Sequence, residues 1–346
     1  MPVCMIGMSG GVDSSVAAYL LKQQGYDCIG VTMRLHDGSG CGAPEDSSDA
    51  EQVCRQLGIA HQTLDFTEAF CRNVITPFVE AYEAGQTPNP CIACNRHLKF
   101  QAMWSHAREL GCDYLATGHY ARICREDDRY QLKTAGDIGK DQSYVLYFLN
   151  QQQLAHTMFP LGELTKDQVR EIARQEGFIS AEKPDSQDIC FVPDGDYGAF
   201  LERYTGKRYA PGHFIDREGK LLGTHRGAVR YTLGQRKGLG IPAATRLYVT
   251  GKDMARNTVT LGSNAELFTT VLTAGDLCLT GGISLTDGKG LKAKVRYRQK
   301  AQPCRVTRTG PAEIQVEFDE PQRAVTAGQA VVLYDGDAVV GGATIM

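Results

Sequence analysis

Three short strings in this 346-residue chain carry residue types that could do chemistry. Ser9-Gly10-Gly11-Val12-Asp13-Ser14 is small and glycine-rich, with an acid and a hydroxyl at its end. Backbone N–H groups of such a loop can approach a phosphate closely, and a following helix adds the positive end of its dipole. Two serine hydroxyls add donors, and Asp13 suits Mg2+. The string matches neither G-x-x-x-x-G-K-[ST] nor G-x-G-x-x-G. Thr87-Pro88-Asn89-Pro90-Cys91-Ile92-Ala93-Cys94-Asn95-Arg96 sets two thiols ahead of a helix, where the thiolate is favoured as nucleophile or metal ligand. Its prolines stiffen the approach. Asp185-Ser186-Gln187-Asp188-Ile189-Cys190-Phe191-Val192 brings a third thiol. By itself a C-x-x-C pair reads as half a zinc site, completed by His97 or His119, as a redox pair, or as neither.

A scaffold must hold these strings, and the first half of the chain has the pattern of one. Apolar runs over residues 3–8, 28–35, 61–65 and 114–117 read as strands, and helical periodicity over 14–24, 47–57, 68–82 and 95–110 fills the intervals. Gly25, Gly58 and Gly111 close three of those helices. This alternation predicts an α/β fold whose N-terminal part is a doubly wound, mostly parallel sheet. Residues 9–14 then fall between the first strand and the first helix, where such sheets bind ligands. Thr165-Lys166-Asp167-Gln168 is a capping box that opens a helix ending at Gly177. After about residue 206 the periodicity becomes that of strands, over 293–298, 304–309, 314–318, 330–334 and 338–345, with an Asp335-Gly336 hairpin turn. A small β-rich central domain and a C-terminal β-barrel are expected. The units are placed at residues 1–205, 206–269 and 270–346.

Charge also divides the chain. Residues 1–205 carry 17 Lys and Arg against 28 Asp and Glu, and residues 206–346 carry 20 against 12, within a net charge of −3. Lys289, Lys292, Lys294, Arg296, Arg298, Lys300, Arg305 and Arg308 follow one another with no acid between them. Such a run is a solvated strand face or a polyanion surface, and Arg226, Arg230, Arg236 and Lys237 favour the second. A composition 42% hydrophobic and 22% charged is that of a globular chain, and no 18-residue apolar run suggests a membrane span. The first residues read as a core strand rather than a signal peptide, so a cytoplasmic location is expected. Twelve cysteines over this length are too sparse for a disulfide scaffold. Cys4, Cys28, Cys54, Cys112 and Cys278 lie in apolar runs and are expected in the core, as is Trp104. For His119, beside Gly118, approach to a nucleotide and plain packing are both open.

The loop at residues 9–14 resembles the pyrophosphate loop of ATP pyrophosphatases, an adenylating group. The resemblance implies cleavage between the α and β phosphates of ATP. It narrows with Thr87–Asn95, Ala116-Thr117-Gly118-His119-Tyr120, Lys140-Asp141-Gln142-Ser143, Lys183-Pro184 leading into Asp185–Phe191, Tyr231-Thr232-Leu233-Gly234-Gln235-Arg236-Lys237-Gly238, and Val295-Arg296-Tyr297-Arg298. Taken in this order, over nearly the whole chain, these strings resemble the tRNA-specific 2-thiouridylases, the MnmA/TrmU family.

That resemblance implies replacement of the 2-oxygen by sulfur on the wobble uridine of tRNAs for Lys, Glu and Gln, with AMP and pyrophosphate released. It implies ATP and Mg2+ as cofactors, the tRNA anticodon region as partner, and a cysteine desulfurase or sulfur-relay protein as donor. No membrane partner and a monomer are expected. Carried over, Gly7, Met8, Ser9, Gly10, Gly11, Val12, Asp13, Ser14, Met33 and Gly118 hold ATP. Cys190 carries a persulfide, and Cys94 is the nucleophile that resolves it, leaving a Cys94–Cys190 disulfide. Asn89, Pro90 and Cys91 face the target base, while Lys140, Asp141, Gln142, Arg296 and Tyr297 contact tRNA. The family's commonest form has Asp where this chain has Cys91. A C-x-x-C with a distant third Cys is also the ligand pattern of thiolases that hold a [4Fe-4S] cluster, so Cys91, Cys94 and Cys190 as cluster ligands stands as a second route. Two rival functions stay open: another adenylating enzyme of the group acting on a small molecule, and a non-catalytic RNA-binding protein.

Overall fold

The computed structural model describes residues 1–36, 44–183, 189–282, 285 and 290–346, without the side chains of 44–46. Strands β1 (Val3–Gly7), β2 (Asp27–Arg34), β3 (Ala60–Asp65) and β4 (Tyr114–Thr117) form one sheet with the short edge strand Thr157–Met158. Their order is β3-β2-β1-β4-edge and every pair is parallel, as expected for the doubly wound class. The centre of β1 is dry on both faces, at Cys4, Met5 and Ile6, because helices or other chain cover each side. Cys4 and Ile6 face helix α1 (Val12–Gln23) and the helices Pro44–Leu57 and Lys166–Gln175, in a core with Val16, Leu21, Val53 and Val169.

Met5 and Val31 face the other way, into a core that two parts of the chain share. Phe100, Met103 and residues 144–149 enter it, and so do Ala330, Val332, Tyr334 and Val339 from the C-terminal barrel. The barrel closes six antiparallel strands: Phe268–Leu279, Glu313–Arg323, Gln302–Gly310, Gly290–Lys294, Ala330–Asp335 and Ala338–Ile345. Closure is made where Ala274 pairs with Ile345 and Cys278 with Gly342. A hairpin of the first domain, Arg122–Glu126 with Arg129–Lys133, extends the barrel sheet by pairing Lys133 with Ala338. The central domain is a four-stranded sheet of Tyr248–Asp253, Thr258–Gly262, Gly212–Ile215 and Leu221–His225.

Several local expectations change. The strand expected over 293–298 ends at Lys294, and residues 295–298 turn because Val295 N–H donates to Gln299 Oε1 and Gln299 N–H to the Arg296 carbonyl. The helix expected from residue 95 starts at Pro90, and its stretch Cys94–Met103 is wound as a π-helix. Cys4, Cys28, Cys54 and Cys112 are buried, and burial pushes the Cys28 thiol up to about 11 and that of Cys54 to about 12. Cys278 is only half-buried, its Sγ donating to the Phe148 carbonyl at 3.6 Å. Trp104 is half-buried as well, stacked on His156 at 5.1 Å. Among the described residues no helix is long and apolar enough to cross a membrane.

Candidate active site

The glycine loop leaves β1 at Gly7, and Met8 N–H stays on the sheet by donating to the Val31 carbonyl at 2.8 Å. Gly10 then takes φ +70°, a conformation open to glycine at little cost. Gly11 is the N-cap of α1, and no side chain caps the helix. Its first-turn N–H groups are therefore left for an anion, with the helix dipole behind them. The serines divide the expected work unequally. Ser14 is buried, donates to the Gly11 carbonyl at 3.0 Å and accepts from Ser9 N–H at 3.1 Å, so its hydroxyl closes the loop. Ser9 is the exposed hydroxyl of the pair. Gly118, at the end of β4, packs so tightly on the loop that a Cβ there would lie 2.8 Å from the Asp13 carbonyl carbon. Met33 lies half-buried near the end of β2, beside Leu64 of β3.

Asp13 has two partners that the sequence did not nominate. Lys166 Nζ donates to its carboxylate at 2.7 and 2.9 Å, and Tyr120 Oη donates to Oδ1 at 2.7 Å. The Lys166 side chain is only 9% exposed. The capping box at Thr165 was legible and fixes the helix start that aims Lys166 at the loop. Nothing in the local string told that the ammonium would cross to Asp13. A carboxylate in the first turn, already holding a cation, with a cradle only glycine fits, suits Mg2+ with nucleotide phosphates.

The thiol string is held from both sides. Asn89 Oδ1 accepts Cys91 N–H at 3.1 Å and caps the helix, with Pro90 at its first position. Upstream, Thr87 N–H donates to the Ala327 carbonyl at 2.9 Å, Gln329 Nε2 to the Thr87 carbonyl at 2.6 Å, and Gly328 packs on Gln86 and Thr87. The barrel thus grips the segment that presents the thiols, a role invisible in either string alone. Downstream, buried Asn95 ties the π-helix to the Val145 carbonyl at 3.2 Å. Cys91 is exposed, while Cys94 and Cys190 are half-buried and border the same apolar cluster of Phe70, Phe78, Leu98 and Phe191. Residues 184–188, before Cys190, lie outside the described residues. Among the described residues no three His, Cys, Asp or Glu side chains gather as a metal site. His119 is buried between Phe100 and Phe159, bonded to Thr117, and burial holds its ring neutral well below the usual histidine range.

The residues expected on the RNA side differ in their surroundings. Lys140 and Gln142 are half-buried, and Gln142 exchanges hydrogen bonds with the Tyr120 backbone, each 2.8 Å. Asp141 is turned inward, accepting from Ala135 and Ser143 N–H groups, the Ser143 hydroxyl and Lys294. Arg296 donates to the Ala324 carbonyl, and burial together with Arg323 lowers its affinity for its proton. Tyr297 lies edge-on to Tyr144 at 6.0 Å. Burial first, then Asp141 and Cys91, push its phenol up to about 12, and Tyr297 borders the same apolar cluster as Ile92 of the thiol helix.

Residues 3–194 match the family model described as tRNA methyl transferase HUP domain, 198–263 its PRC-barrel domain, and 285–345 the aminomethyltransferase beta-barrel domain. The tRNA-specific 2-thiouridylase MnmA of Clostridioides difficile (strain 630) is 48% identical over 99% of this chain and 97% of its own length. That of Lachnoclostridium phytofermentans is 47% identical over the whole of both chains. The chain belongs to the tRNA-specific 2-thiouridylase family. Among solved structures, the U34-tRNA thiolase NcsA from Methanococcus maripaludis with its [4Fe-4S] cluster aligns at a TM-score of 0.37 and 20% identity, over 59% of this chain and 66% of that one.

Proposed function

We propose that the chain catalyses ATP-dependent 2-thiolation of uridine in tRNA, at the wobble position of tRNAs for Lys, Glu and Gln. The observation that supports this reading is the grip of barrel residues 327–329 on Thr87, just ahead of the thiol helix, with Ile92 and Tyr297 bordering one apolar cluster. In this reading the basic barrel holds RNA beside the thiol helix, and Gln142 is linked through Tyr120 to Asp13.

A uridine carbonyl oxygen is a poor leaving group, so it must first be activated. In the proposed sequence that oxygen attacks the α-phosphorus, the bond to the β-phosphate breaks, and pyrophosphate leaves. First-turn N–H groups of α1 bind the phosphates, and Asp13 would hold Mg2+, which would supply neutralising charge. The terminal sulfur of a Cys190 persulfide then attacks C2, and the carbon–oxygen bond breaks with loss of AMP. Cys94 thiolate attacks Cys190 Sγ, and the electrons of the broken S–S bond form the thiocarbonyl. The two cysteines are left as a disulfide, which an external thiol reductant reopens. Asn89, Pro90 and Cys91 face the base, which must leave the anticodon stack to arrive. A cytoplasmic monomer fed by a cysteine desulfurase or relay protein fits this scheme.

The C-x-x-C spacing with Cys190 favours a second sulfur route, a [4Fe-4S] cluster on Cys91, Cys94 and Cys190. Those three thiolates would hold the cluster, whose open iron would bind hydrosulfide as the sulfur donor. The deciding experiment is anaerobic purification with iron and sulfide analysis, alongside thiolation of unmodified tRNA by wild type and by the Cys91→Ser, Cys94→Ser and Cys190→Ser variants. The persulfide reading expects iron-free wild type to form 2-thiouridine from a persulfide donor, activity lost in the second and third variants, and activity kept in the first. Iron and sulfide near four each per chain, with activity lost on their removal, would replace it by the cluster route. Failure to bind tRNA with a steep salt dependence would return the chain to small-molecule chemistry, and failure to release AMP with tRNA to a non-catalytic role.

A further inference from the structure

We infer that Lys166 is a phosphate-binding residue of the ATP site, held on Asp13 until nucleotide arrives. Its ammonium is 2.7 and 2.9 Å from the two carboxylate oxygens, inside the protein at the loop that cradles phosphate. A lysine whose only task was to steady α1 would have no reason to lie over the carboxylate best placed for Mg2+. Tyr120 restricts its movement twice: its Oη shares Oδ1, and its ring centre lies 5.8 Å from the ammonium. The Thr165 capping box fixes the backbone that carries it.

Charge governs the rearrangement when Mg2+ and ATP arrive. A divalent cation and an ammonium sharing one carboxylate repel each other strongly in a partly dry site. The negative phosphate oxygens that accompany Mg2+ relieve that repulsion only if they also lie against the ammonium. Lys166 therefore exchanges Asp13 for the phosphates that become pyrophosphate, and Asp13 is released to the metal. Charge stays matched in both states, with the same two side chains.

This inference rests on the adenylation reading, and its test separates the two. Calorimetry is run with Mg2+·ATP, Mg2+·pyrophosphate and AMP on wild type, Lys166→Gln and Lys166→Arg. Wild type that binds neither ATP nor pyrophosphate overturns the adenylation reading itself. Where wild type binds, Lys166→Gln should weaken ATP and pyrophosphate about 10- to 100-fold, the size of a lost charge-assisted hydrogen bond. AMP should stay within about twofold, and Lys166→Arg should restore most of the pyrophosphate affinity. Unchanged pyrophosphate binding in Lys166→Gln, or parallel loss of AMP binding, overturns the role of Lys166. Because Lys166→Gln leaves Asp13 without its cation and could unfold, the wild-type protein is also labelled with 13C-methyl groups on its lysines. The Lys166 resonance, assigned by its absence in Lys166→Arg, should shift with pyrophosphate and not with AMP; no shift overturns the inference.

Discussion

Asp141 and Lys294 stand 153 residues apart in the chain and form an ion pair at 2.9 Å with side chains only 2% and 12% exposed. Lys294 also lies 5.1 Å from the centre of the Tyr334 ring. The pair fastens the first basic strand of the barrel to the loop that carries Lys140 and Gln142. Removing one partner leaves a buried charge without its counter-ion, so Lys294→Met should cost about 3–5 kcal/mol of stability. The double variant Asp141→Asn, Lys294→Met should recover part of it. Chemical denaturation measures both; a loss under about 1 kcal/mol for the single variant would show that solvent reaches the pair.

Gly118→Ala tests the closeness of β4 to the phosphate loop. The new methyl would lie 2.8 Å from the Asp13 carbonyl carbon and 2.9 Å from Ser14 N, both backbone atoms that cannot swing aside. The loop must shift, at a cost of about 1–3 kcal/mol shared between folding and nucleotide binding. The expected result is a lower melting temperature with ATP affinity reduced about tenfold. Native-like affinity would mean that the loop moves freely.

Stability should fall on mild acidification. His119, His61 and His225 are all held below the ordinary histidine range, chiefly by burial. Below about pH 6.5 the unfolded chain takes up protons that the folded one refuses, so stability falls there, chiefly through the fully buried His119, at up to about 1.4 kcal/mol per pH unit. Melting temperatures measured from pH 8 to 5.5 should be flat above 7 and drop below 6.5. His119→Asn should flatten the drop; an unchanged slope would assign it to other groups.

Lys252 offers a gain in stability. Its Nζ is buried and meets no hydrogen-bonding partner among the described residues, and burial lowers its pKa to about 8. Lys252→Met removes an unpaired buried cation and should stabilise the protein by about 1 kcal/mol. The unfolded lysine titrates near 10.5. The gain should therefore be complete below pH 8, shrink as pH rises, and vanish above 10.5. Denaturation at pH 7 and at pH 10 distinguishes this from a simple packing effect, which would be equal at both.

Residues that act through their own neighbours were legible in the sequence, and residues that act across the fold were not. The loop at 9–14 and the Thr165 capping box each rest on contacts within a few positions, and both form as expected. The parallel sheet and the barrel followed from periodicity for the same reason. Lys166 reaches Asp13 across 153 positions and Gln329 reaches Thr87 across 242, and no local pattern carries such pairings. The turn at 295–298 was misread because apolar and basic residues alternate there as in a strand. A side-chain bond from Gln299 to the Val295 backbone outweighs that alternation.

The grip of residues 327–329 on Thr87 has a consequence for how the protein comes into being. During synthesis the segment bearing Cys91 leaves the ribosome long before its clamp, with 242 residues between Thr87 and Gln329. At about 5–20 residues per second that interval is roughly 10–50 s, in which the sheet around β1 can form while the thiol helix lacks its anchor. Chains that terminate early, anywhere before the last two barrel strands, can therefore fold much of their first domain and still have no finished site. The thiol segment therefore gains its anchor only after residues 327–329 have been made.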